Sequence, residues 1–356
     1  MRDVAVVAYE RSPGKAADRE VDMAEILLPV MRRALTAAGI TRDRVDFWAS
    51  GSHDFFEGRT FAYIDSLDAV GAWPPISESH VEMDAAWALH EAWTWLQLGE
   101  GEVAVVYGIG RAALPSDLDQ VMAAQLDPYF LAPLRPHRDA AAGLQAAALL
   151  AAGALAEKQL AEVVARSLAA AVEEPGAQVS GVVTVEELLA APYVASPLRA
   201  HDCGPAGDAA AVLVLAAGDT ARALAERPAW LRGIDHRMDT HYLGARDLTT
   251  CDTVTRAAAT AAEFAGFGAA DVDIAELHTE YSYQEPFLAA ALGLGATPVN
   301  PGGGPLTGRP ATATGLIRIG EAAAHILRGR AGRTLAHATN GPALQQNMIC
   351  LLEGDR

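Results

Sequence analysis

The sequence predicts a duplicated α/β fold of five layers, α/β/α/β/α, interrupted by a helical insertion. Three observations predict it. Two stretches near opposite ends resemble one another, a second helix–strand unit follows each, and the helix-rich middle has no counterpart. Such self-similarity is sought before any motif, because missing it misassigns the whole architecture.

The first stretch is Arg33-Ala-Leu-Thr-Ala-Ala-Gly-Ile-Thr-Arg-Asp-Arg-Val-Asp-Phe47, and the second is Ala261-Ala-Glu-Phe-Ala-Gly-Phe-Gly-Ala-Ala-Asp-Val-Asp-Ile-Ala275. Each reads as an alanine-rich helix closed by glycine, a short polar turn, and a strand entered through Val-Asp. The glycine suits the left-handed residue that ends a helix. After the first stretch, Ala85, Leu89, Ala92 and Leu96 recur at helical spacing, Gly99 and Gly101 end the helix, and residues 103–107 read as a strand. After the second, residues 314–327 read as a helix, Gly329 and Gly332 follow, and a strand over 334–338 leads into Asn340-Gly341. Strand, helix and strand in this order imply right-handed parallel crossovers, with one helix of each half buried between two sheets. Val4-Ala5-Val6-Val7 reads as a buried opening strand, and residues 212–216 as the strand that closes the first half. The divisions expected are a first half over 1–113, completed by 199–225, an inserted loop domain over 114–198, and a second half over 226–356.

With 51% hydrophobic and 20% charged residues, the chain has the material for a large core. Its formal net charge of -18 repels a phosphate backbone and an anionic membrane surface alike, so neither nucleic acid nor membrane is an expected partner. An anionic ligand would need a locally basic mouth, for which Arg59, Arg111, Arg135 and Arg309 are candidates; ordinary solvated arginines are the alternative. Cys203, Cys251 and Cys350 lie far apart with no metal-ligand spacing, which reads as a reduced, cytoplasmic protein without a disulfide framework. No charged leader and cleavage site precede the first strand, so no signal peptide is expected. The alanine-rich stretch 140–155 is too short and too interrupted to span a bilayer and reads as a core helix.

Four blocks stand out on this pattern: Val81-Glu-Met-Asp-Ala-Ala-Trp-Ala88, Asp202-Cys-Gly-Pro-Ala-Gly-Asp-Ala-Ala-Ala211, Val272-Asp-Ile-Ala-Glu-Leu-His278 and Asn300-Pro-Gly-Gly-Gly-Pro-Leu-Thr-Gly-Arg-Pro310, with His337-Ala-Thr-Asn-Gly-Pro-Ala-Leu-Gln-Gln-Asn347 as the closing loop. Together they resemble the thiolase superfamily, in particular its lipid-transfer-protein (sterol-carrier-type) branch. The resemblance implies a thiolase fold. It also exposes departures. In thiolases the first block carries a cysteine at a helix N-terminus, where the helix dipole lowers the thiol pKa; that place falls on Ala85 here, within about one residue. The family's Gly-His-Pro reads Gly308-Arg309-Pro310, and its second cysteine falls on Ala343, while Cys203 and Cys350 take structural positions. An alanine forms no acyl-enzyme, so thiolysis and Claisen condensation by the usual route are excluded.

What the resemblance leaves is His278, which in the family holds a thioester oxygen as negative charge develops, a task that needs no nucleophile; a satisfied structural histidine is the plain alternative. Tyr281 and Tyr283 are acid/base candidates that packing would equally explain. Tyr242, beside His241, is placed to reach the cleft. Asp84 stands at a helix start, where capping is the ordinary role. His337 and Asn340 flank the closing loop, where either orients a water or completes an oxyanion hole. Arg309 stays protonated and is no base; it pairs with an acid, binds a ligand phosphate, or blocks the old site. With Gly303 and Gly341 of the glycine loops it is an expected contact for coenzyme A, which enters as part of the substrate, with no covalently bound cofactor and no metal. Trp87, Trp93 and Trp95 read as core or dimer packing before they read as a sterol-sized pocket.

The resemblance further implies aldolase subunits of actinobacterial steroid side-chain degradation. These cleave a 3-hydroxyacyl-CoA by retro-aldol chemistry through a thioester enolate and act with a small accessory protein containing a zinc ribbon and an OB-fold. It also implies a dimer formed through residues 79–83, with a like or a different thiolase-like chain. The competing expectation is a non-catalytic pseudo-thiolase with a filled cleft, scaffolding an active paralogue; a decarboxylating or hydratase-like activity is a weaker third.

Overall fold

A computed structural model describes residues 2–16, 20–58, 60–71, 77–112 and 118–355. Arg59 and the expected division near residue 113 fall outside them. The first half supplies strands β1 (Val4–Arg11), β2 (Phe47–Gly51), β3 (Glu78–Val81), β4 (Val103–Gly110) and β5 (Gly207–Ala217). The second supplies β6 (Ala229–Met238), β7 (Ile274–Leu277), β8 (Arg333–Asn340) and β9 (Gln346–Glu353). Their order is β3-β2-β4-β5-β1-β6-β9-β8-β7, with the two-residue strand Lys15–Ala16 beside β5.

Read inward from either edge, the order repeats. In the first half β3/β2 and β2/β4 are parallel, and β4/β5 and β5/β1 antiparallel. In the second, Val299 bridges Ala275 in parallel, β7/β8 is parallel, and β8/β9 and β9/β6 are antiparallel. The duplication read from sequence is therefore a duplication of topology. The parallel strand–helix–strand units expected in each half are present, as β2 with β4 and β7 with β8, and the structure adds two features. Parallel pairing is confined to the outer strands of each half, because β5 runs opposite to β4 and β1, and β9 runs opposite to β8 and β6. The two sheets are also joined edge to edge, through Ala5 with Trp230 and Val6 with Ala229.

The strands are apolar on both faces because helices cover both. Val4 and Val6 face inward with Leu213, Leu215, Met348 and Leu352. Ala5 and Val7 face outward toward helix α1 (Met23–Ala37). On the far side Leu335, Ile349 and Leu351 meet helix α3 (Asp252–Ala265) through Val254, Ala257 and Ala261. Between the two half-sheets lie α2 (Ala85–Gln97) and α4 (Thr314–Leu327), one from each half. Five layers result. Alanine dominates the central helices because the approach is close: a Cβ on Gly51 would stand 2.6 Å from the Ala85 Cα, and one on Gly108 2.5 Å from its Cβ.

Both central helices begin at one carboxylate. Asp84 caps its own helix through the Ala86 N–H at 2.8 Å, and caps α4 through the Gly315 and Leu316 N–H groups at 2.8 and 3.1 Å. Two helix N-termini present partial positive charge to it. Burial pushes the carboxyl up to about 6, although nearby His278 and the three donors favour the ionised form. The insertion packs over this body as helices Leu118–Ala124, Ala140–Ala151, Glu157–Ala170 and Val185–Ala190. Among the described residues no helix is long and apolar enough to cross a membrane.

Truncating the shared cap should be costly. Asp84→Ala orphans three buried N–H groups at about 1–3 kcal/mol each, so urea unfolding should show a loss of about 3 kcal/mol or more. Gly315→Ala should act in the same direction, because its Cβ would lie 2.6 Å from the Asp84 Oδ1.

Candidate active site

Ligands of α/β sheets bind in the crevice outside the carboxyl ends of the strands. Here His53 follows β2, Arg111 follows β4, His278 follows β7 and Asn340 ends β8, and all four line a cleft of about 510 Å³. Both halves thus contribute corresponding strand ends, and the insertion adds a wall through Leu118, Met122 and Asp139.

His278 is buried at the end of β7, where its backbone N–H donates to the His337 carbonyl. Its Nδ1 accepts the Thr339 N–H at 3.3 Å, so the ring proton sits on Nε2. That nitrogen donates to the Glu280 Oε1 at 3.3 Å. The other Glu280 oxygen accepts from Arg309 at 3.0 Å. Burial raises the Glu280 carboxyl, but the guanidinium and His278 outweigh it and hold it at about 2. Arg309 therefore pairs with an acid, at the cleft wall. Its guanidinium also lies 5.9 Å from the centre of the Tyr281 ring. Tyr281 donates its hydroxyl to the Asp139 Oδ1 at 2.8 Å, and burial raises that phenol well above its ordinary value.

The structure gathers His278, Tyr281, Arg309, Asn340, Gly341 and Arg111 on the cleft wall, and leaves Asp84, His337, Tyr242, Tyr283, Gly303 and Arg135 off it. Asp84 is committed to the two helix starts. His337 is buried in the sheet against the Asn347 Oδ1 at 2.9 Å, and burial takes its pKa down to about 3, so it stays neutral. Tyr242 is 42% exposed beside Phe130, while its neighbour His241 lines the cleft. Tyr283 gives its hydroxyl to Gln145 in the core. Gly303 packs toward the insertion, where an added Cβ would stand 2.6 Å from the Ser167 carbonyl oxygen. Arg111 lines the cleft, whereas Arg135 lines a smaller neighbouring hollow.

Ala85 presses its methyl against Gly108 rather than facing the cleft; from this segment the cleft-lining residues are Glu82 and Met83. The thiols lie elsewhere. Burial pushes Cys203 and Cys251 up to about 12 and raises Cys350, and none of the three lines the cleft. A thiol in that condition is not a nucleophile at neutral pH.

Sequence reasoning missed His53 and Asp139. His53 holds the Asn340 Oδ1 at 3.1 Å through Nε2, and burial lowers its pKa. Asp139 precedes the helix Ala140–Ala151 and looks from sequence like an ordinary cap, yet its side chain makes no capping bond. No local signal separates that case from a true cap.

No known family model matches the chain. Over 179 residues it is 32% identical to an acetyl-CoA acetyltransferase of Methanothermobacter thermautotrophicus, a match that spans 45% of this chain and 46%, just under half, of that relative. It is 25% identical over 339 residues to the benzoylsuccinyl-CoA thiolase subunit BbsB of Thauera aromatica, covering 86% of this chain and 84% of that one. Human mitochondrial 3-ketoacyl-CoA thiolase superposes over 100% of the chain with a TM-score of 0.79 at 15% identity, and its complex with CoA with a TM-score of 0.78. The chain has the thiolase fold, and its relatives support the thiolase superfamily.

The Glu280 pair sets a pH signature. A carboxyl held at about 2 when folded, against an ordinary 4.5, contributes stability that is fully present above pH 4.5 and is lost as pH falls toward 2. The contribution is about 3 kcal/mol. Denaturant midpoints followed through that window should fall more steeply for the native chain than for Glu280→Gln.

Proposed function

We propose that this chain is a thiolase-like carbon–carbon lyase that cleaves a bulky, steroidal 3-hydroxyacyl-CoA by retro-aldol chemistry. The observation that carries the reading is the convergence of His278, Tyr281 and Asp139 on an open cleft of about 510 Å³ that no thiol lines. Retro-aldol cleavage needs a base for the hydroxyl proton, a donor for the enolate oxygen and an acid for the α-carbon, and no nucleophile. His278 serves as the donor: its Nε2 proton is fixed by the Thr339 N–H on the opposite nitrogen, and it turns from the Glu280 Oε1 to the thioester oxygen as charge develops. Apolar Phe55, Phe56, Leu118 and Met122 suit a large acyl group, and Arg111 and Arg138 suit the anionic carrier. The CoA-bound thiolase neighbour and the CoA-named relatives support coenzyme A as part of the substrate. The setting we propose is cytoplasmic, in a dimer paired through the edge strand β3 with a like or different thiolase-like chain, and with a zinc-ribbon/OB-fold accessory protein.

One observation favours the second reading, a non-catalytic subunit scaffolding an active paralogue. The donor His278 is already occupied by Glu280, which is itself paired with Arg309. The open cleft speaks against it, since that reading expects the cleft filled.

The test is cleavage of a steroidal 3-hydroxyacyl-CoA by the chain co-expressed with its genomic neighbours, following release of the carbonyl product and the short acyl-CoA. His278→Ala should lower turnover about 10²–10³-fold, the usual cost of an oxyanion donor. Cleavage undiminished by that change would place the chemistry on a partner chain.

A further inference from the structure

The insertion reaches the cleft with a carboxylate whose hydrogen bond goes to the other half of the molecule rather than to its own helix. Asp139 occupies the cap position of Ala140–Ala151 but does not cap it. It is 5% exposed and lines the cleft, as does Ala142 one turn on. Its Oδ1 accepts the Tyr281 hydroxyl at 2.8 Å. Its Oδ2 lies 3.5 Å from His137 Nδ1 and 3.9 Å from Arg138 Nε, distances that leave it loosely held. A helix start normally uses such a side chain for its own N–H groups; here the carboxylate is turned to a phenol from the other half of the molecule.

We propose that Asp139 and Tyr281 form the proton-carrying pair of the cleft, Asp139 taking the proton of the substrate's 3-hydroxyl and Tyr281 delivering one to the α-carbon. The assignment rests on the retro-aldol reading and supplies its base and acid. Burial keeps the phenol protonated, which fits it to give a proton rather than to take one. The steps balance within the substrate and the two side chains. The hydroxyl O–H breaks toward Asp139, the C3 carbonyl forms, and the bond between C2 and C3 breaks. Its electron pair passes to the thioester enolate, whose oxygen His278 holds. Tyr281 then gives its proton to C2 and recovers one from Asp139 along their shared hydrogen bond. The net change is one proton moved from oxygen to carbon, with no oxidant, reductant or metal required.

The experiment pairs two assays on the co-expressed protein: cleavage of the 3-hydroxyacyl-CoA, and uptake of deuterium from heavy water at the α-carbon of the short acyl-CoA product. Deuterium uptake needs the enolate and its acid but no carbon–carbon bond cleavage. Asp139→Asn and Tyr281→Phe should each lower both rates about 10²–10⁴-fold, the usual worth of general acid–base catalysis. The double variant should be no worse than the single ones, since the pair acts as a unit. Thermal unfolding accompanies each assay, and Tyr281→Phe, which keeps the ring, tests the pair should Asp139→Asn fail to fold. Cleavage that persists in both single variants overturns the proposal and leaves the retro-aldol reading standing. Deuterium uptake that depends on the pair, in a protein that cleaves nothing, overturns the reading and the role of Asp139 toward the 3-hydroxyl, and keeps only Tyr281 as the proton carrier at the α-carbon. Neither activity in the native chain overturns both.

Discussion

The structure turns on the Asp84 carboxylate. Three backbone donors from two helices reach it at 2.8 to 3.1 Å, so α2 and α4 must start side by side and run between the same two half-sheets. Fixing both helix starts also fixes which strand ends face one another. The ends of β2, β4, β7 and β8 come together around that point, and the cleft is the space they leave. Few single side chains set so much geometry. This one can because burial makes each of its hydrogen bonds expensive to lose.

At the cleft wall, Arg309 and Glu280 account for each other. Arg309 brings a permanent cation into a largely enclosed wall, and an unpaired buried cation is strongly unfavourable. Glu280, which follows His278 by two residues, answers it at 3.0 Å. Together they form a chain of His278, Glu280 and Arg309 in which the histidine ring is held in one orientation. On the proposed reading, a thioester oxygen entering the cleft competes with the Glu280 carboxylate for the Nε2 proton, so the resting contact is one the substrate has to displace.

Much of the fold was legible because burial on both faces writes long apolar strands, and glycine after each helix writes its end. The helix expected over residues 314–327 is found at those bounds. The capping role of Asp84 was legible for its own helix, from its place before the alanine-rich run; its second duty, 231 residues away at Gly315, was not. His278 and Arg309 were found by motif. Asp139 was not, because its partner lies 142 residues further on, and a lone aspartate before a helix carries no mark of what it faces. Tyr242 was expected to reach the cleft, yet the turn that begins the second half directs His241 inward and leaves the tyrosine against Phe130. The edge-to-edge joining of the sheets rests on two residue pairs, too few to leave a pattern in sequence.

The same carboxylate bears on Ala85, the position that resembles the place of the thiolase cysteine. In thiolases the positive end of the central helix lowers the pKa of a cysteine and so prepares a thiolate. Here the positive ends of both central helices are taken up by Asp84, and the first side chain of α2, Ala85, is pressed on Gly108 away from the cleft. A thiol placed there would meet a fixed anion rather than an unanswered dipole, and its thiolate would be disfavoured by both charge and burial. A cysteine placed at Ala85 would therefore gain little from the helix dipole. On the proposed reading, proton chemistry at the cleft draws instead on groups that bring their own partners, as Tyr281 and Asp139 do.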